Sequence, residues 1–181
     1  MKKTIAIQVL LGLLCAASIA GCGSSSAQGG ETLSLLAQFD FGSGEKLQPG
    51  SLMASNGMAY FVARTPDAGE EPWISDGTMS GTRRIMDIYQ GPLNSMILPA
   101  DDQPAFVEWN GLVYFAADDG ITGYELWRTD GSEAGTALVA DLLPGPDGFG
   151  SITMRPTGNR LYVTLEDFLD FSELWVLEVT P

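Results

Sequence analysis

The side chains in this chain best equipped for chemistry are carboxylates. Asp118 and Asp119 stand together before Gly120, and Asp76 and Asp130 each open an Asp-Gly turn, with Gly77 and Gly131 following them. Asp101-Asp102 and Glu166-Asp167 with Asp170 are further acidic groups. Oxygen ligands of this type suit Ca²⁺, and two carboxylates about 5–10 Å apart suit glycoside hydrolysis. With 23 Asp and Glu in the chain, some pair always falls at such a separation, so the pattern assigns no catalytic residue. There is no His, which removes the usual general base and the commonest transition-metal ligand. Among the seven basic residues after residue 21, only Arg83 and Arg84 are adjacent, so no arginine cluster converges. No nucleophile elbow, zinc motif or phosphate loop occurs. The expectation is therefore a non-enzyme without a cofactor, with Ca²⁺ left open at Asp118 and Asp119. Trp109 sits beside a hairpin turn and outside the pattern of recurring Trp residues, which makes it the candidate exposed aromatic for a ligand.

Asp76 and Asp130 are better explained by position. Residues 72–92 and 124–146 share a Trp-x-Ser/Thr-Asp-Gly-Ser/Thr-x-x-Gly-Thr core. Trp73 and Trp127, Asp76 and Asp130, Gly81 and Gly135, and Pro92 and Pro146 all stand 54 positions apart. A fixed offset over so many positions marks a structural repeat. An Asp in such a turn can accept from backbone N–H groups two residues on, so Asp76, Asp130, Gly77 and Gly131 read as turn formers. Upstream, Asn56-Gly57 and Asn110-Gly111 are type I′ hairpin signals. Each unit then reads as four strands; in the second these are residues 105–109, 112–117, 124–129 and 136–142. Residues 112–117 are apolar on both faces, as in a sheet covered on both sides. Trp73, Trp127 and Trp175 recur on the third strand and read as core wedges between sheets.

A third unit over residues 150–181 is incomplete. Residues 158–163 match the hairpin element and Glu173-Leu174-Trp175 matches Glu125-Leu126-Trp127, but no Asp-Gly turn or fourth strand follows. The missing piece stands at the other end. Leu35, Leu36, Ala37, Gln38 and Phe39, with Gly42, correspond to Leu138, Val139, Ala140, Asp141 and Leu142 with Gly145. A strand over residues 33–41 is expected to complete a third unit, so that the third blade is split between the termini.

The first residues read as an address. Lys2-Lys3 precede an apolar stretch over residues 5–14 that is too short to span a bilayer. Ile19-Ala20-Gly21-Cys22 follows and resembles the lipobox of bacterial lipoprotein signal peptides. The resemblance implies removal of residues 1–21, a diacylglyceryl thioether on Cys22 and acylation of the new amino terminus, hence a membrane anchor. An ordinary secretory signal cleaved near Ala20 is the alternative. Cys15 lies in the removed segment, so no internal disulfide is possible. Losing Lys2 and Lys3 takes the net charge from −14 to −16, which disfavours nucleic acid as a partner. Residues 22–30 read as a flexible Gly/Ser tether. Gly23, where an Asp would resemble an inner-membrane retention signal, favours the outer membrane.

The repeat resembles the ELWxxDGT family of bacterial surface and secreted proteins. Asn110-Gly111, Tyr114-Phe115, Asp118-Asp119-Gly120, Glu125-Leu126-Trp127, Asp130-Gly131-Ser132 and Gly135-Thr136 carry the likeness; Pro72-Trp73-Ile74 and the third unit depart from it. The resemblance implies an all-β domain over residues 31–181, with four-stranded, β-propeller-like blades in units near 51–92, 104–146 and 150–181. Three blades fall below the roughly four to eight of closed propellers. Either the ring is open and partial, or two chains form a homodimeric six-blade ring in which each N-terminal strand completes the partner's third blade. The expected function is a non-catalytic, surface-anchored lipoprotein whose repeat domain serves binding or adhesion, with a protein or glycan ligand. A structural subunit of an envelope assembly and a carbohydrate-active enzyme are the alternatives.

Overall fold

The computed structural model describes residues 24–26, 32–37, 51–97, 103–167 and 171–179. The chain divides into two compact units, residues 1–35 and 36–181. In the first, β1 (Ser24–Ser26) pairs antiparallel with β2 (Thr32–Ser34). Part of the expected tether is therefore a strand, because a paired backbone satisfies its own N–H and C=O groups. The strand expected over residues 33–41 is met only at Leu33 and Ser34. Residues 35–37 lie outside any strand, and residues 38–41 lie outside the described residues.

The second unit is all-β among its described residues, with three antiparallel sheets. The first holds β3 (Met53–Ser55), β4 (Met58–Thr65), β5 (Gly69–Ser75) and β6 (Arg83–Arg84). The second holds β7 (Phe106–Trp109), β8 (Leu112–Asp118), β9 (Tyr124–Thr129) and β10 (Ala137–Ala140). The third holds β11 (Ser151–Thr157), β12 (Arg160–Glu166) and β13 (Ser172–Glu178). Strand order follows chain order in each sheet, so every connection is a local turn.

The turns explain the strand ends. Asn56 and Gly57 have φ of 50° and 76°, and Asn110 and Gly111 have 53° and 78°. Positive φ at both central residues is the type I′ turn, whose twist matches that of paired strands. The third hairpin keeps the two-residue loop with the order reversed. Gly158 has φ 51° and Asn159 is not left-handed, the type II′ solution.

Packing follows from strand alternation. On β8 and β9, Val113, Phe115, Ala117 and Trp127 face one way, joining Tyr60, Val62 and Ile74 of the first sheet and Ile85 and Ile88 just after it in one buried core. Tyr114, Ala116, Tyr124 and Leu126 face the other way, against Ile152, Met154, Leu161, Val163 and Leu165. The middle sheet is thus covered on both faces, which is why β8 carries no polar alternation. Each fully buried Phe or Leu contributes roughly 1.5–3 kcal/mol through burial.

Candidate functional site

The repeated turn is built twice, bond for bond. Asp76 Oδ1 accepts from Thr78 N at 2.9 Å and Thr78 Oγ1 at 2.7 Å; Asp130 Oδ1 accepts from Ser132 N at 2.8 Å and Ser132 Oγ at 2.6 Å. Thr78 Oγ1 and Ser132 Oγ in turn accept from Gly81 N and Gly135 N. Thr82 and Thr136 donate back to the carbonyls of Thr78 and Ser132. Gly77 and Gly131, with φ of 86° and 92°, supply the left-handed residue. Gly81 and Gly135 lie against the Asp carboxylates, where a Cβ would collide with them. Hydrogen bonds from Thr78 and Ser132 hold both carboxyls below their ordinary range. Arg83 Nη2 donates to Gly131 O at 2.7 Å, tying the first sheet to the turn of the second.

Two further carboxylates escaped the sequence reading. Glu71 and Glu125 are fully buried and stand at matching positions of the two repeats. Glu71 Oε2 accepts from Ile88 N at 3.0 Å and Ser95 Oγ at 2.7 Å. Glu125 Oε1 accepts from Leu143 N at 2.9 Å. Each therefore holds the loop that follows its unit's fourth strand. Glu71 Oε1, Glu125 Oε2, Asp87 Oδ1 and Trp127 Nε1 are buried with no hydrogen-bond partner among the described residues. Burial pushes the Glu71 carboxyl up to about 7, and the charge of Asp87 adds to the rise. Burial likewise raises Glu125, with Asp141 contributing. The signal for them was in the chain: a Glu two positions before Trp, in phase with the repeat, lies on the same buried face as that Trp. Neither reaches solvent, so neither can touch a substrate. In the third unit the matching Glu173 is exposed and accepts from Trp175 Nε1 at 2.7 Å.

Trp109 is not the exposed aromatic that its place beside a turn suggested. It is only 5% exposed, packs with Tyr114 at 5.8 Å between ring centroids, and donates Nε1–H to Gly158 O at 3.1 Å. The third sheet covers the end of β7, and the indole fills that contact. The wedge reading fits Trp127, which is buried. It does not fit Trp175, which is exposed, because nothing among the described residues continues β13's sheet. Trp73 is half-buried and stacks on Phe61 at 6.3 Å.

Asp118 and Asp119 spend their oxygens on their own loop. Asp118 Oδ1 accepts from Gly120 N at 2.7 Å. Asp119 Oδ1 accepts from Ile121 N, Thr122 N and Thr122 Oγ1 at 2.9, 2.7 and 3.0 Å. Burial pushes Asp119 up, but the bonds from Thr122 and Ile121 together hold it below its ordinary range. Asp167 Oδ1 accepts from Phe171 N at 3.0 Å. Asp101, Asp102 and Asp170 lie outside the described residues, as does Cys22. Among the described residues no three acidic or thiol side chains come together as a metal-binding group.

An open polar hollow of about 410 Å³ lies beside β5 and β6, lined by Thr65, Asp67, Trp73, Arg84, Asp87 and Glu133. Arg84 Nη1 reaches Asp67 Oδ2 at 3.3 Å and Thr65 Oγ1 at 3.4 Å. A second hollow, of about 190 Å³ and apolar, is lined by Leu36, Ala37, Leu52, Ala59, Phe61, Ser75 and Thr82. Comparison with protein-family models, with curated proteins and with solved structures finds no match for this chain.

Proposed function

We propose that this chain is a non-catalytic lipoprotein of the bacterial cell envelope, anchored through Cys22, whose three sheets are propeller-like blades that present a binding or adhesion surface. One observation carries the reading. The polar atoms of the repeated motif are turned on the backbone of their own unit, in the same pattern in both complete copies. The conspicuous residues thus serve as scaffold, and a ligand is left to what does not repeat. The hollow around Trp73 and Arg84 suits that role: an indole on β5 and a guanidinium on β6, with the carboxylates of Asp67, Asp87 and Glu133 from the neighbouring turns, can engage a polyhydroxylated or peptide ligand. Ca²⁺ at Asp118 and Asp119 is not part of the proposal, since both carboxylates already serve their loop.

Two measurements test it. Cys22→Ser should move the protein from the membrane to the soluble fraction and abolish metabolic labelling with a fatty acid; a variant that stays lipid-labelled refutes the anchor. Cells displaying the protein should adhere to immobilised glycans or matrix proteins, and Trp73→Ala with Arg84→Ala should reduce that adherence. Equal adherence by cells lacking the protein refutes the binding role.

A further inference from the structure

The two ends of the stack are unfinished in complementary ways. The first two sheets each carry a fourth strand on the edge of the third: β6 on β5 and β10 on β9. In the third sheet, β13 pairs with β12 alone, and no strand lies on its outer edge among the described residues. That strand is also the most exposed apolar stretch of the sheets, with Leu174, Trp175 and Val176 at 72%, 44% and 49%. The matching residues Leu126 and Trp127 of β9 are buried. An open edge carrying exposed apolar side chains is a template for strand addition.

At the opposite end, the outer face of the first sheet holds Ala59, Phe61 and Trp73, the counterparts of Val113, Phe115 and Trp127. In the second sheet that face is covered by residues that follow β6 of the first sheet, Ile85 and Ile88 among them. On the first sheet, Leu36 and Ala37 take the corresponding place, lining the apolar hollow with Leu52, Ala59 and Phe61. By the repeat, Leu36 and Ala37 correspond to Ile85 and Met86 and to Val139 and Ala140. The seat of Leu36 and Ala37 on the first sheet is thus the seat that a fourth-strand segment takes on the second.

We propose that the missing partner at both ends is a second copy of this chain. Residues 35–37 of each copy serve as the fourth strand on β13 of the other, and the two stacks close head to tail. The inference rests on the blade reading of the three sheets and needs no particular ligand. Closure within one chain would bury Leu174 and Val176 against the first sheet, and they are exposed. Neither buried core joins the first sheet to the third. An interface that continues the sheet-on-sheet contacts already inside the chain is heterologous, and two copies of three sheets make a ring within the usual blade range.

The β9–β10 register fixes the pairing. Leu138 opposes Trp127 and Ala140 opposes Leu126, so Leu35 should oppose Trp175 and Ala37 should oppose Leu174. Directly opposed strand residues lie within disulfide reach. Full-length chains bearing Ala37→Cys and Leu174→Cys, each with a different tag, are co-expressed in a bacterial envelope and oxidised. A disulfide-linked species carrying both tags is expected, about tenfold above the control pair Ala37→Cys with Thr157→Cys, because pairing sets the effective concentration. Each variant expressed alone controls for Cys22. Light scattering on the unsubstituted protein should give a dimer and guards against misfolding of the variants. A monomer by light scattering overturns the proposal. A double variant that links only within one chain also overturns it, while leaving the blade reading intact. Absence of any link in either format sinks both.

Discussion

Replacing Glu71 by Gln tests the idea that this buried carboxyl staples its unit as a neutral acid. Its carboxyl rises from an ordinary 4.5 to about 7 through burial, with Asp87 adding to the effect. The folded chain therefore binds a proton that the unfolded chain releases between about pH 4.5 and 7. Stability from this group is fully present below that window and is lost as pH rises through it. At 1.36 kcal/mol per pH unit the linkage comes to roughly 3 kcal/mol over the whole window, of which about 2 kcal/mol falls above pH 5. Gln keeps an acceptor for Ile88 N and Ser95 Oγ and places an amide at the position where Glu71 Oε1 has no partner among the described residues. The unsubstituted protein should lose about 2 kcal/mol between pH 5 and 8, while Glu71→Gln should show a shallower slope and be the more stable at pH 8. The residual slope belongs to Glu125, raised for the same reason. Asp76, Asp119 and Asp130 have depressed carboxyls, so their contribution is lost only in acid, below this range. Urea midpoints followed by tryptophan fluorescence at pH 5, 6, 7 and 8 measure the effect. An unsubstituted protein whose stability is flat or rises over that range, or a Gln variant with an equally steep fall, refutes the reasoning.

Thr129→Val should cost about 2 kcal/mol in urea unfolding, because it strips the acceptor from Gly131 N and the partner from the buried Thr136 hydroxyl; a loss within about 0.5 kcal/mol would contradict it. Gly135→Ala should destabilise by about 1–3 kcal/mol, since the new methyl meets the Asp130 carboxylate and must push it out of its turn; a neutral result in thermal unfolding would show that the carboxylate is free to move. Trp109→Ala should cost about 3–5 kcal/mol, whereas Trp175→Ala in the isolated chain should cost under about 1 kcal/mol, as its ring is half in solvent; equal losses in a denaturant series would reverse the assignment of wedge and surface.

Much of the fold is legible in the residues because its signals are local. Asn-Gly pairs need positive φ, so Asn110-Gly111 located the β7–β8 hairpin to the residue. The expected strand 124–129 is β9 as observed, bounded by Gly123 and the Asp130 turn. The expected strand 136–142 shrinks to Ala137–Ala140, because the chain turns away where Leu143 N reaches the carboxylate of Glu125. That bond joins residues 18 apart, and no local pattern encodes it. Trp109 was misplaced for a related reason. Its neighbour, the Gly158 carbonyl, is 49 residues away, and turn-adjacent aromatics are exposed only when no other sheet covers them.

The sequence by itself determined that the chain is built from strands, that a four-strand unit occurs twice at an offset of 54 positions, and where its turns fall. It could do so because turn chemistry and side-chain alternation act within a few residues. Only the tertiary structure decided which repeated side chains are buried. Trp127 and Glu125 are enclosed and Trp175 and Glu173 are not, although their sequence settings are nearly alike. Trp127 lies beside Leu138 of β10 and Glu125 beneath Leu143 N, whereas no strand lies on the outer edge of β13 among the described residues; whether an edge is covered in this way is a matter of tertiary pairing.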